Sequence, residues 1–189
     1  MKKIKLSFWG FLVAMTGLWL WAGPLVRMPA QFYPLRLALI NYTGLVTIGA
    51  MSVAIMLAVR PAALESHLGG LDKMYRLHKW LGIAALVMAA AHWLWIKLPR
   101  WLFDHGIVAA PTRDVTPDAV TSAFAFLRAL RQVAYPVGEW SFYAVVLLIV
   151  LAPLKWFPYR YFFKTHRLLA IAYLFLAFHS VVLMKLAYW

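Results

Sequence analysis

Six histidines occur in the chain, and four of them fall within two long apolar stretches: His78 and His92 in one, His166 and His179 in the other. The two histidines of each stretch are separated by 14 and 13 residues, respectively. On an α-helix these spacings correspond to roughly 20 Å along the axis. A neutral imidazole binds metal ions and carries protons, and an ionisable side chain inside a bilayer is costly and usually has a function. These four histidines are therefore the first candidates for chemistry.

The elements that position these histidines are predicted to be membrane-spanning helices. Of the 189 residues, 65% are hydrophobic and 13% are charged, whereas soluble domains are about half apolar and about a quarter charged. This composition excludes a water-soluble domain and a disordered chain. Since one span needs about 20 apolar residues, we predict an all-α, polytopic transmembrane helix bundle that forms a single domain over residues 1–189. The five spans are expected at residues 4–23, 35–59, 77–98, 137–154 and 165–188.

The basic residues set the expected orientation. The formal net charge is +13, and Lys and Arg cluster in short segments between apolar stretches, which favours lipid headgroups over nucleic acid as the partner. With the N-terminus inside, segments 1–5, 60–79 and 154–167 carry eleven basic residues and the outer side carries eight. The positive-inside rule then predicts a cytoplasmic N-terminus. We expect a multi-pass protein of a bacterial inner membrane, with the first stretch retained as a helix.

In this orientation the third and fifth spans both run outward, so their histidines lie at two matching depths. His78 is paired with His166 on the inner side, and His92 with His179 on the outer side. Two imidazoles complete the axial coordination of a haem iron, and such a closed site favours electron transfer over ligand binding. The sequence therefore predicts two stacked bis-histidine haem sites, in which the four histidines bind the haem iron.

Other interpretations of the histidines fit less well. A single membrane histidine is more often a hydrogen-bonded bundle residue, but four at matched depths are hard to assign to chance. Histidine pairs about 20 Å apart cannot bind one zinc ion together. A proton relay would use Asp or Glu within the spans, which contain almost none. The absence of cysteine excludes disulfides and iron–sulfur clusters.

One feature of the fifth span conflicts with ideal helix geometry. At about 100° per residue, His92 lies about 40° from the face of His78, but His179 lies about 140° from the face of His166. We expect either a π-bulge in this helix or a sideways displacement of the two sites.

The segment between the third and fourth spans, residues 99–136, is predicted to be a polar outer loop. It contains Asp104, Asp114 and Asp118, with turn residues at Ala110–Asp114. After Thr116, apolar residues recur at helical spacing up to Leu130, which predicts a short amphipathic helix at the outer surface. This helix would serve a function or simply cover the bundle.

Two stretches resemble the ferric reductase-like transmembrane domains of the superfamily that includes NADPH oxidases and iron reductases. The first runs from Leu68-Gly69-Gly70 through Leu77-His78-Lys79 to Ala91-His92-Trp93, and the second from Lys164-Thr165-His166 to Phe178-His179-Ser180. The family uses the same 14 and 13 spacings. The resemblance implies two b-type haems, one held by His78 and His166 and one by His92 and His179. It further implies electron transfer from the cytoplasm outward, and hence the membrane part of an oxidoreductase.

The chain departs from the family pattern in two places. Members usually have six helices followed by a cytoplasmic flavin and nicotinamide domain, whereas Gly69-Gly70 alone is no dinucleotide fingerprint. FAD and NAD(P)H are therefore expected only through a further domain of a longer enzyme or through a separate reductase subunit. The oxygen-reducing members also place a second histidine one turn after the outer ligand, where this chain has Ile96. This favours ferric iron or another outer acceptor over oxygen.

Polar side chains near the four histidines are the candidates for contacts with haem propionates. At the inner site they are Arg76, Lys79, Lys164 and Arg167, and at the outer site Arg36, Asn41 and Lys97.

The predicted function is transmembrane electron transfer through two haems, from a cytoplasmic flavin donor to an acceptor at the outer face. One alternative is the haem-bearing membrane subunit of a two-component system, such as the partner of a periplasmic methionine sulfoxide reductase. Another is a non-redox, histidine-containing transporter, which would be colourless.

Overall fold

The protein is all-helical over the residues that its computed structural model describes, which are 2–22, 32–107, 122–151 and 159–183. The helices are α1 (Lys2–Trp21), α2 (Phe32–Ala58), α3 (Ala62–Leu68), α4 (Leu71–Asp104), α5 (Ser122–Leu151) and α6 (Tyr159–Leu183). All except α3 are long and apolar enough to cross a membrane. The chain is thus a multi-pass membrane protein whose partner is the lipid bilayer, and the prediction of about five spanning helices is confirmed for the described residues.

The helices pack as two tight pairs. α2 packs along α4, and α5 packs along α6. α1 contacts both α2 and α4. Small residues line these contacts: Ala50 of α2 and Ala134 of α5 are 0% exposed. Because lipid tails are as apolar as the side chains, membrane helices associate through close packing, which small residues permit. The pairs are joined where α2 touches α6.

α4 and α6 carry the four histidines, and their backbones have almost no direct contact within the described residues. The two backbones therefore do not pack against each other, and the histidine side chains reach across the distance between them.

Several helices extend beyond the expected span limits. α4 begins at Leu71 and continues through Pro99 to Asp104, and α5 begins at Ser122 and continues through Pro136. The predicted outer loop is shorter accordingly. Asp114, Asp118 and the first part of the expected amphipathic helix, from Thr116, lie outside the described residues.

A short helix, α3, connects α2 to α4. Pro61 precedes its first residue, where a missing N–H costs nothing, and Gly69 ends it with φ 83°. The Gly69 and Gly70 N–H groups both donate to the Glu65 carbonyl oxygen, at 2.9 and 3.0 Å. Gly69-Gly70 is thus a helix-terminating turn.

Candidate haem-binding site

The four histidines meet in the two predicted pairs. The ring centroids of His78 and His166 are 6.0 Å apart, and those of His92 and His179 are 6.4 Å apart. In each pair one ring comes from α4 and the other from α6. The pairing inferred from depth alone is therefore the pairing in the structure.

These separations suit one metal ion per pair. Two imidazoles that bind one ion through bonds of about 2.0 Å have ring centroids roughly 6.3 Å apart. Among the described residues, no group of three or more His, Cys, Asp or Glu side chains lies close enough to hold an ion. Two imidazoles without further protein ligands suit a metal that brings its own equatorial ligands, as haem iron does. The donor set therefore fits haem better than zinc, which usually takes three or four protein ligands.

Three of the four rings are oriented by backbone carbonyl groups. The Nδ1 atoms of His78, His92 and His179 lie 2.8, 2.9 and 2.8 Å from carbonyl oxygens. The acceptors are Ala54 and Ile40 of α2 and Ala134 of α5. A carbonyl oxygen only accepts, so Nδ1 carries the proton and Nε2 keeps its lone pair. This is the tautomer that binds a metal through Nε2, with the second hydrogen bond fixing the ring.

The two bonds between α2 and α4 follow from the antiparallel register of these helices. His78 bonds to Ala54 and His92 to Ile40, so the 14-residue spacing on α4 is matched by a 14-residue spacing on α2. Thr43 adds a contact at the outer pair, with its Oγ1 3.3 Å from His92 Nδ1. One helix thus orients both histidines of its neighbour.

His166 is held differently from the other three. Its ring stacks on Phe162, one turn earlier on α6, with centroids 5.0 Å apart. Its Nδ1 is buried and has no hydrogen-bond partner in the described part of the chain. The inner pair is therefore asymmetric, with one ring fixed by a carbonyl group and one by an aromatic contact.

The conflict in helix phase is resolved without a break in the helix. α6 runs as one α-helix from Tyr159 to Leu183, so the expected π-bulge is absent from it. His179 leaves α6 toward α5, since it reaches the Ala134 carbonyl. The two rings therefore project from different sides of α6, which matches the sideways displacement that the sequence left open.

The basic candidates at the inner site lie on the exposed surface of the protein. Arg76 pairs with Asp72 one turn earlier on α4, at 3.1 Å. Lys79, Lys164 and Arg167 are also exposed, within one turn of His78 or His166.

The basic candidates at the outer site contact other protein groups. Arg36 Nε and Nη2 donate to the carbonyl oxygens of Trp95 and Ile96, at 2.9 and 3.4 Å. Lys97 Nζ lies 2.6 Å from Glu139 of α5, and Asn41 is half-buried on α2. The structure thus ties Arg36 and Lys97 to α4 and α5 rather than leaving them aimed at the histidine pair.

The two remaining histidines are surface residues. His67 and His105 are exposed, and each places Nδ1 near a carbonyl oxygen of its own helix turn, at 2.9 and 2.8 Å. Neither belongs to the two pairs.

Sequence reasoning missed the carbonyl groups of Ile40, Ala54 and Ala134. Every residue carries a carbonyl group, so the residue type gave no signal. The 14-residue spacing shared by these α2 carbonyl groups and the α4 histidines could have indicated them, but only to a reader who already knew that α2 and α4 pack together.

Comparison with protein-family models gave a match over most of the chain. Residues 43–177, more than two thirds of the chain, match the family model described as ferric reductase like transmembrane component. This range includes His78, His92 and His166 and ends two residues before His179. Searches of curated proteins and of solved structures gave no match. The chain belongs to the ferric reductase like transmembrane component family.

Proposed function

We propose that this chain carries electrons across a bacterial inner membrane by way of two b-type haems. His78 and His166 would hold the inner haem, and His92 and His179 the outer one. The observation that carries the proposal is that each pair joins two helices at a separation suited to one six-coordinate iron. Membership in the ferric reductase like family supports the same chemistry.

When bound, each haem would supply a one-electron Fe(III)/Fe(II) couple. The residues of this chain would hold each haem in place. The Ala54, Ile40 and Ala134 carbonyl oxygens keep three imidazoles in the ligating tautomer, and hydrogen bonding at Nδ1 raises the basicity of the ligand. The apolar walls of the bundle keep water away and lower the dielectric, which tunes the redox potential.

The direction of transfer rests on the proposed orientation, with the N-terminus and the His78–His166 pair inside. A flavin domain or subunit that oxidises NAD(P)H would deliver electrons at the inner surface, near α3 and the start of α4. Ferric iron or another acceptor would take them at the outer surface. Lys164 and Arg167 remain our candidates for the inner propionates, because both are exposed near His166. Arg76 and Arg36 would reach a propionate only by giving up contacts that they make here.

The test is a reduced-minus-oxidised visible spectrum of the purified full chain from haem-replete cells, with haem quantified per chain. We expect two low-spin b-type haems. H92A and H179A should each retain about one, because each variant removes one ligand of the outer site and leaves the inner pair intact.

The matched controls are H67A and H105A, which replace exposed histidines outside the pairs and should retain both haems. A colourless wild-type chain would overturn the redox proposal and leave the transporter as the better candidate. Equal haem loss in H92A and H105A would show that membership in a histidine pair does not identify the haem ligands.

A further inference from the structure

The three histidine-binding carbonyl groups share a sequence register. Ile40 is followed four residues later by Gly44, Ala134 by Gly138, and Ala54 by Ala58. The position four residues after each of these carbonyl groups thus carries little or no side chain, with glycine at two of them and alanine at the third.

The register has a physical reason. In an α-helix the carbonyl group of residue i points at the N–H group of residue i+4. Each side chain leans toward the N-terminus and covers the turn before its own Cα atom. A side chain at position i+4 therefore screens the carbonyl oxygen of residue i from the side, and a residue with little or no side chain leaves that oxygen open to a lateral donor.

The space at the two glycines is taken by the histidine rings of the outer pair. A Cβ atom added at Gly138 would overlap the His179 ring at Nδ1 and Cε1. A Cβ atom added at Gly44 would lie 3.3 Å from Nδ1 and from Cε1 of His92, so that the ring would have to give by a few tenths of an ångström. Gly10, on α1, which carries none of the four histidines, has nothing within 4 Å of such an atom.

His166 provides the contrast. Its ring leaves α6 on a different side from that of His179, and its Nδ1 has no partner among the described residues. The carbonyl register of the other three histidines therefore does not extend to it.

We propose that Gly138 and Gly44 are positioning residues for the outer histidine pair. The notch at Gly138 receives the His179 ring and lets its Nδ1 reach the Ala134 carbonyl oxygen. Gly44 does the same, with more space, for His92 and Ile40. The two glycines thereby set the direction of both outer Nε2 atoms. The proposal rests on the proposed function, because these Nε2 atoms are the ones that would bind the outer haem.

The structure predicts a graded series of single-methyl substitutions. G138A removes the place that the His179 ring occupies and should abolish the outer site. G44A displaces the His92 ring slightly and should alter the outer site without emptying it. G10A adds the same methyl group in open space on α1 and is the matched control.

The experiment compares the full-length wild type, G10A, G44A, G138A and H179A for haem per chain, visible spectrum and midpoint potentials. We expect two unchanged haems in the wild type and in G10A. G44A should keep two haems, with the spectrum or the potential of one of them shifted. G138A should lose half of the haem and match the spectrum of H179A. A general packing defect would instead affect both haem sites.

Each outcome decides one of the two proposals. If the wild type binds haem and G138A keeps two haems at unchanged potentials, the role of Gly138 is overturned and the proposed function is not. A colourless wild type overturns the proposed function and this inference with it. If the G138A chain fails to accumulate, G44A decides: a shift confined to one haem supports the positioning role, and a wild-type spectrum and potential contradict it.

Discussion

At the scale of single residues, Arg36 has a structural task that follows from Pro99. Proline lacks an N–H group, so Pro99 leaves the carbonyl oxygen of Trp95, four residues earlier, without its helical donor. Arg36 Nε donates to this oxygen at 2.9 Å, and Nη2 reaches the neighbouring Ile96 carbonyl at 3.4 Å. In a bilayer such carbonyl groups must be satisfied within the protein. Arg36 therefore allows α4 to continue through Pro99, about two turns beyond His92.

This relationship predicts non-additive stabilities for Arg36 and Pro99. R36A should lower the free energy of unfolding by about 2 kcal/mol, as for hydrogen bonds from charged donors. In a P99A background the same change should cost less, because the introduced alanine supplies the N–H group that the Trp95 carbonyl oxygen lacks. The measurement is a double-mutant cycle by detergent-to-SDS unfolding titrations. Equal costs of R36A in both backgrounds would mean that Arg36 acts through other contacts.

The histidine site was predictable only in part at this scale. Depth in the membrane is set by position along the chain, so the spacings and the parallel course of the two helices gave the pairs that lie close together in the structure. The direction of each ring depends on the neighbouring helix, because His92 points at the accessible carbonyl oxygen of Ile40 and His179 at that of Ala134. The hydrogen bonds that orient the rings, and the tautomer that follows from them, could not be read from residue types.

At the scale of elements, α2 contributes more than its apolar sequence suggested. It provides the Ile40 and Ala54 carbonyl groups for the two histidines of α4. Between these levels, Ser52 Oγ lies 2.8 Å from the Tyr173 hydroxyl of α6. Ser52 itself donates to the Ile48 carbonyl oxygen at 2.7 Å, so the Tyr173 hydroxyl is the donor in the interhelical bond. α2 thus links the two helix pairs.

The Tyr173–Ser52 bond is expected to stabilise the docking of α6 on α2 without setting haem chemistry. Y173F and S52A should each lower the free energy of unfolding by about 1 kcal/mol, the usual net contribution of one hydrogen bond. The double variant should cost little more than either alone, while haem content stays unchanged. Tyr75 is 68% exposed, and Y75F is the control. Selective loss of one haem in Y173F would instead indicate a direct role at a haem site.

Helix limits were the least predictable feature of the elements. In the sequence, Pro99 and Pro136 indicate helix boundaries, as they would in a soluble protein. Both lie inside helices here, because neighbouring groups in a membrane bundle can satisfy the carbonyl that proline leaves free. Arg36 provides such a group for Pro99, and it is 63 residues away in the chain. Local sequence therefore could not indicate that α4 would continue.

At the scale of the whole molecule, the proposed function depends on which end of α4 faces the cytoplasm. Among the described residues, five helices are long and apolar enough to span a membrane, and the two histidine pairs make α4 and α6 parallel. This arrangement fits either orientation. The bias of eleven basic residues against eight favours the N-terminus inside. Lys3 supports the grouping of the inner segments, since its Nζ donates to the His67 carbonyl oxygen at 3.3 Å. The N-terminus and α3 therefore lie at the same surface, opposite the end of α4.

This orientation can be tested directly, because the chain contains no cysteine and any introduced thiol is unique. Ser66 of α3 and Asp104 at the end of α4 are both exposed and lie at opposite surfaces. We expect a membrane-impermeant maleimide to label D104C in intact spheroplasts and S66C only after permeabilisation. Haem content of both variants should equal the wild type, since neither residue contacts the histidine pairs. The reverse labelling pattern would place the His92–His179 pair at the cytoplasm, and the electron donor would then have to reach that pair instead.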